Sequence, residues 1–290
     1  MARPLRLEFP CAVYHITSRG NEKNSIFLSD KDRTLFLSIL GKTIDKYKWI
    51  CHAYCLMDNH YHLLIETPLP NLSAGMRQLN GVFTQAFNRR HNRVGHLFQG
   101  RFKAIVIEKE SHLLEVARYI VLNPVRSRIV NHPLKWRWSS FSATTRIGQK
   151  PPFLYVDWIL NRFGKESSTA IIGYRKFIME GIKKRSIMKK AKKGIILGSD
   201  DFVDKIREAL KRKRETEEIP RMQRLIDRVE LEKLIPKETP RDKESRDELI
   251  RIAVREHGYT QVEVAKYLGI HYSTVSKIVR DRPQNSRFKT

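Results

Sequence analysis

The chain has 290 residues, enough for about two domains, and 41% of them are hydrophobic and 30% charged, a balance that supports globular folding. Lys and Arg number 56 against 31 Asp and Glu, a formal net charge of +25 with a pI near 10.1, which points to a polyanionic partner, nucleic acid before an anionic membrane. No apolar run approaches the roughly 18 residues that span a bilayer, the first residues hold no hydrophobic signal core, and Cys11, Cys51 and Cys55 make no disulfide framework, so a cytoplasmic protein is expected.

In chain order, Ala12-Val13-Tyr14-His15-Ile16-Thr17-Ser18 is β-branched and aromatic and is closed by Gly20-Asn21; it predicts a first strand. Asp30 is placed to cap a helix running to about Tyr47, with Leu35, Phe36, Ile39, Leu40 and Ile44 as its apolar stripe. Residues 49–57 and a second run ending at Thr67-Pro68 predict a hairpin turned at Asp58-Asn59. Asn71 or Ser73 starts a second helix with Met76, Leu79, Val82, Phe83, Ala86 and Phe87 at helical spacing. A Gly-bounded loop follows, then a strand over 102–108. Ser111 caps a third helix that ends near Asn123, because Pro124 disfavours continuation. This order of strand, helix, hairpin, helix, strand and helix predicts an α+β sandwich, an antiparallel sheet with helices packed on it. Trp136-Arg137-Trp138-Ser139-Ser140-Phe141 reads as a closing segment, and amphipathic helices are expected near 156–163 and 169–181.

His60 and His62 stand two apart at the head of the second hairpin strand. Residues i and i+2 share a strand face, so the two imidazoles project side by side and could hold one metal ion. Two half-buried strand histidines are the plainer reading of that pair alone. On the third helix, Leu113, Leu114, Ala117, Ile120 and Val121 cluster on one side at about 100° per residue. His112, Tyr119 and Asn123 fall on another side, with Asn123 one turn beyond Tyr119. A surface tyrosine followed by an Asn-Pro stop would also explain them. Taken together, His60, His62 and the Asn123 amide oxygen could bind a cation whose shell is completed by phosphate oxygens and water. Mixed imidazole and oxygen ligation suits Mg²⁺ or Mn²⁺. Such a metal would polarise a scissile phosphodiester. Tyr119 could attack phosphorus, although a free phenol titrates at about 10 and needs activation. The product would be a 5′-phosphotyrosine and a free 3′-OH.

Phe87, Arg89, Arg90, His91, Arg93, His96, Phe98, Arg101, Phe102 and Lys103 interleave cations with rings, the chemistry of single-strand binding. Phe87 and Phe102 fit core positions, leaving Arg89, Arg90, Arg93, Phe98, Arg101 and Lys103 as candidate contacts, with Arg19 and Asn21 lining the same surface.

Residues 183–193 hold seven basic residues and no acidic one, so 181–199 are expected to be a basic linker between a first domain over 1–180 and a helical second domain over 200–290. The middle of the second domain, 218–244, is charged and broken by Pro220, Pro236 and Pro240. A helix is expected over 248–254. Residues 260–281 fit a helix-turn-helix in which Val262, Ala265 and Leu268 pack the first helix, Gly269 makes the turn, and Val275, Ile278 and Val279 pack the second. That leaves His271, Tyr272, Ser273, Thr274, Ser276, Lys277 and Arg280 for the major groove. The stretch is similar to the DNA-binding end of the bacterial replication initiator over about 25 residues.

Four stretches together resemble the REP-associated tyrosine transposases, a branch of the HUH-type single-tyrosine transposases: Ser18-Arg19-Gly20-Asn21 with Ile26-Phe27; residues 53–64, which include His60-Tyr61-His62; Gly95-His96-Leu97-Phe98-Gln99-Gly100-Arg101-Phe102; and residues 118–126, which include Tyr119 and Asn123. The resemblance covers about residues 1–180. It implies a ferredoxin-like or RRM-like domain that cleaves and rejoins single-stranded DNA near palindromic hairpins. It further implies metal ligation by His60, His62 and Asn123, with Tyr119 as nucleophile. Tyr61 replaces the usual hydrophobic residue between the histidines, and His112 stands where an aromatic is expected. The expected partners are single-stranded DNA and DNA hairpins, with duplex held by the C-terminal module, no membrane, and a bacterial, nucleoid-associated monomer or homodimer. Two other readings compete: a catalytically silent, sequence-specific DNA-binding regulator, and a zinc protein using Cys51, Cys55, His60 and His62.

Overall fold

The β-branched run near the N-terminus becomes the central strand of the sheet, β1 (Ala12–Arg19). The protein is described here from a computed structural model covering residues 7–146, 150–192, 194–206, 208, 230–236, 243–255, 257 and 259–280. Strands β2 (Ile50–Leu56) and β3 (His60–Thr67) form the expected hairpin, followed by β4 (Lys103–Ile107) and a short β5 (Ile196–Leu197). The order across the sheet is β2-β3-β1-β4-β5. β1 runs antiparallel to both β3 and β4. Two β-α-β crossovers therefore interleave in the ferredoxin-like manner. β5 pairs parallel to β4, which makes the five-stranded sheet mixed rather than purely antiparallel.

One face of the sheet carries α1 (Asp30–Tyr47) and α2 (Leu72–Arg90). Their aromatic residues close over it: Phe36 lies 4.7 Å from Tyr61 and 5.1 Å from Phe83 between ring centroids. α2 lies close over Trp49 because residue 75 is glycine; a Cβ there would overlap the indole. The cap of α1 is Ser29, in a reciprocal capping box with Asp32, and Asp30 is the first helical residue. Val82, expected in the apolar stripe of α2, is exposed.

The opposite face is covered by α3 (Lys109–Val121), with the shorter helices α4 (Asn123–Arg126), α5 (Ser140–Thr145) and α6 (Asp157–Leu160) and then α7 (Ser167–Glu180) following in sequence. Val13, Leu64 and Ile107 of the sheet pack there with Leu113, Val116, Ala117, Ile120 and Val121, and with Phe141, Tyr174 and Ile178. Val116 holds a fully buried place in that stripe and Leu114 is only half-buried. The cap of α3 is Glu108, three residues before the expected Ser111, whose hydroxyl instead donates to the Glu108 carboxylate at 2.7 Å. Pro124 is the second residue of α4, in the first turn, where its missing N–H costs nothing. The tryptophan segment does close the domain: the Trp136 indole donates to Leu56 O at 3.0 Å, and Leu56 N donates to Trp138 O at 2.9 Å.

The segment expected to be a linker, 181–199, contains the 3-10 turn Ile187–Lys190, with Ile187, Met188 and Ala191 packed on the α3 core, and then β5. The chain divides into two compact units after Ile206. In the second, α8 (Leu231–Leu234), α9 (Lys243–Arg255), α10 (Gln261–Leu268) and α11 (Tyr272–Arg280) surround Ile235, Ile250, Ala253, Val254, Val264, Ala265, Val275 and Ile278. Gly269 takes the left-handed turn, φ 65°. Val262 is 63% exposed and Val264 fills the core in its place. Most of the charged 218–244 stretch, including Pro220 and Pro240, lies outside the described residues. No helix among the described residues is long and apolar enough to cross a membrane.

Candidate active site

Strand register decides which side chains share the α3 face. Thr17 pairs with His62 and with Lys103, and Arg19 pairs with His60. Directly paired residues project to one side. His60, His62, Arg19 and Lys103 therefore stand together at one end of the sheet. His15, one step along β1, joins them. Its ring stacks on His62 with centroids 5.2 Å apart and an interplanar angle of 11°. His15 Nε2 lies 3.0 Å from His62 Nδ1. His60 and His62 sit 4.9 Å apart, nearly edge to face. α3 docks so that the Tyr119 ring meets His15 at 5.7 Å and His62 at 5.8 Å, both edge-on.

The hydrogen bonds leave a consistent set of lone pairs. His60 Nδ1 pairs with Asn59 Oδ1 at 2.7 Å, which fixes its proton on Nδ1 and presents Nε2 as an acceptor. With the shared proton on His62 Nδ1, His62 presents Nε2 in the same way. That Nε2 is buried and has no hydrogen-bond partner among the described residues. Burial lowers the pKa of His62 well below its usual value, reinforced by His15 and His60. Burial, then the Arg19 charge, lowers His60 despite Asp58. Burial takes His15 to about 3. The imidazoles are thus neutral and able to ligate. Asn123 is buried, and its amide nitrogen donates to Tyr119 O at 2.9 Å and Ile120 O at 3.3 Å. Its oxygen takes part in neither bond and keeps its acceptor capacity. This donor set of two imidazoles and one amide oxygen fits a divalent cation, with His15 orienting His62 from behind.

No group of three or more His, Cys, Asp or Glu side chains among the described residues is arranged to hold one ion. The zinc reading fails on that ground and on another: Cys51 and Cys55 are fully buried, and burial pushes the Cys51 thiol up to about 12 and Cys55 higher still, the opposite of a metal-binding thiolate.

Tyr119 is partly buried, which raises its phenol above the ordinary value; the Arg126 charge acts against that rise. The Arg126 guanidinium lies over the Tyr119 ring, 5.4 Å from the centroid, held by bonds to Gly181 O and Lys184 O at 3.2 and 3.3 Å. Its Nη1 is buried without a partner among the described residues. Sequence reading missed both His15 and Arg126. A histidine inside a strand run gives no signal until the β1–β3 register is known.

The candidate DNA contacts separate. Arg19, Asn21, Arg89, Arg93, Arg101 and Lys103 are exposed. Arg90 is also exposed but is bonded to the buried Asp32 at 3.0 Å, and Arg93 lies over the Phe87 ring. Phe98 is a correction: it is only 8% exposed, is bridged to Gly20, and packs against Tyr61 and Phe83, so it offers no open face for stacking on a base. In α11, Tyr272, Ser273, Thr274, Lys277 and Arg280 are exposed and Ser276 is half-buried. His271 is exposed too, but its Nδ1 accepts from Ser273 N and sits 2.8 Å from Ser273 Oγ at the head of that helix.

Residues 10–123 match the family described as Transposase IS200 like, and residues 250–287 match a helix-turn-helix family. A Haemophilus influenzae protein named as a REP-associated tyrosine transposase is 26% identical over 135 residues, 40% of this chain and 77% of that protein. A solved structure described as a REP-associated tyrosine transposase bound to a REP hairpin aligns with a TM-score of 0.44 at 18% identity, over 54% of this chain and 93% of the other.

Proposed function

From a chain whose residues 10–123 match the IS200-like transposase family and whose residues 250–287 match a helix-turn-helix family, we propose a DNA strand transferase that cleaves and rejoins single-stranded DNA beside hairpins through Tyr119. The observation that carries this reading is the packing of Tyr119 against the His15–His62 pair, with His62 Nε2 buried and unpartnered. Tyr119 Oη forms the new bond to phosphorus and the P–O3′ bond breaks. In net terms the phenolic proton ends on the departing 3′ oxygen. The 5′-phosphotyrosine that results keeps a phosphoester which a new 3′-OH can reseal.

His60 Nε2, His62 Nε2 and Asn123 Oδ1 would hold Mg²⁺ or Mn²⁺. Bound there, the cation would polarise the scissile phosphate and offset its developing charge. Arg126 stabilises the phenolate as it forms, because its charge lies against the ring. Arg19 and Lys103, beside the histidines, neutralise the flanking phosphates. The exposed face of α11 takes the paired stem in its major groove.

The test is incubation with a single-stranded hairpin oligonucleotide and Mn²⁺ or Mg²⁺. A covalent adduct that survives denaturation and is absent from Tyr119→Phe is expected. An adduct or cleavage that persists in that variant would refute the nucleophile. Hairpin binding with no cleavage under any metal would favour the silent DNA-binding regulator.

A further inference from the structure

Residues 181–199 have the charge of a linker, yet they are built into the first unit. The segment starts beside Tyr119: Gly181 O and Lys184 O accept from the Arg126 guanidinium, which lies over the Tyr119 ring. Ile187, Met188 and Ala191 then pack on the core that α3 shares with the sheet, and the 3-10 turn touches α3 itself. At the other end β5 pairs with β4, and the Glu108 carboxylate at the head of α3 accepts from Ser199 N and Ser199 Oγ at 2.9 and 3.0 Å. The segment therefore follows the length of α3, 13 residues or about 20 Å, from the Tyr119 end to the Glu108 end.

These ties use backbone atoms, apolar side chains and one serine, and they leave the basic side chains free. Lys183, Lys184, Arg185, Lys189 and Lys190 are all exposed, and none has an ion pair or a side-chain hydrogen bond among the described residues. Lys192, at the end of the row, pairs with Asp200. Elsewhere in the same unit Arg90, Arg118, Arg137, Arg162 and Lys109 each meet a carboxylate. A mobile linker could spread five like charges apart. A fixed backbone cannot, so their repulsion is best relieved by a polyanion that lies along the row and releases its counterions. Composition decides which part of that polyanion is held. Residues 181–199 include no Phe, Tyr, Trp, Asn or Gln, so they have no ring to stack on a base and no amide to read a base edge. Phosphate contact is the chemistry that remains.

We propose that Lys183, Lys184, Arg185, Lys189 and Lys190 form a sequence-independent track for the phosphate backbone of the single strand that Tyr119 engages, laid along the outside of α3. The occupant is a single strand because the row begins at the Tyr119 end. This rests on the single-strand reading above, and the experiment separates the two. The full chain is titrated by fluorescence anisotropy in EDTA, where no cleavage occurs. The probes are a short oligothymidylate, a mixed-sequence strand of equal length and a blunt duplex, each over a range of salt. With all five residues replaced by Ala, affinity for both strands should fall about tenfold and the salt slope should drop by about three, with the duplex slope unchanged. Replacing the four lysines with Arg should keep the wild-type values. If the fivefold variant unfolds, Lys183→Ala/Lys184→Ala/Arg185→Ala and Lys189→Ala/Lys190→Ala, made separately, should each lose about half of that slope. An unchanged single-strand slope in these variants overturns the track. A lowered duplex slope assigns the row to the paired stem and overturns the single-strand occupant. A loss confined to the oligothymidylate overturns sequence independence. A missing Tyr119 adduct in the separate metal-dependent assay would overturn strand transfer and leave the salt result standing.

Discussion

The α3-facing row of β3 carries polar groups at both ends, and the two ends are built differently. At the far end Glu66 accepts from Lys109 Nζ at 2.8 Å and pairs with His52 Nε2 at 2.8 Å, with His52 wholly buried. Imidazole, carboxylate and ammonium close into one network. At the near end His15, His60 and His62 touch one another, Asn59 and the Tyr119 ring, and leave a buried Nε2 open. The far end is thus a closed, ion-paired network, whereas the near end is a group of neutral imidazoles that leaves a buried ring nitrogen without a partner among the described residues.

The comparison breaks most sharply at Tyr119. Tyr119→Phe should lower adduct formation by about a thousandfold or more, read on denaturing gels, while Glu66→Gln should leave the adduct per folded molecule unchanged. Glu66→Gln should instead cost about 3 kcal/mol in urea unfolding, since it strands a buried partner and a lysine. An undiminished midpoint would show that the far end is not a stabilising network.

Asp32 gives the pH counterpart. Burial alone would raise its carboxyl, but bonds from His91, Arg90, Ser29 and the Leu28 N–H bring it down to about 2. A depressed folded pKa means the unfolded chain takes up the proton first as acid is added. About 2 kcal/mol of stability, present above pH 4, should therefore be lost as pH falls from about 4 to about 2. Asp32→Asn should flatten that part of the unfolding profile, and an unaltered acid limb would count against it.

His15 sharpens the near end. His15→Phe keeps a ring against His62 but removes the hydrogen-bond partner of its Nδ1. Mn²⁺ affinity, followed by calorimetry, should fall about tenfold; unchanged affinity would mean His62 needs no orienting partner. The smallest effect is expected in the second unit. Lys277→Ala should lower the salt dependence of stem-duplex binding by about one unit of slope, and an identical slope would remove Lys277 from the phosphate contacts.

Much of the near end was legible. The His-x-His spacing in a strand run puts His60 and His62 on one face, and the i+4 spacing with an off-stripe position marks Tyr119 and Asn123. Phe98 was misread because a ring among cations looks like a stacking platform until its backbone bridge to Gly20 turns it inward. Residues 181–199 were misread because seven positive charges hide Ile187, Met188 and the Ile196–Leu197 strand, two or three apolar residues being too few for a periodic signal.

The sequence by itself determined the local elements, the α+β order and the helix-turn-helix, because strand alternation, helical stripes, capping residues and Gly269 are properties of neighbours along the chain. Only the tertiary structure decided that His15 backs His62, that Arg126 covers Tyr119, and that the basic segment from Gly181 is tied along α3. Each of those contacts depends on strand register or helix docking across tens of residues, and register is set by which whole faces bury best rather than by any one residue.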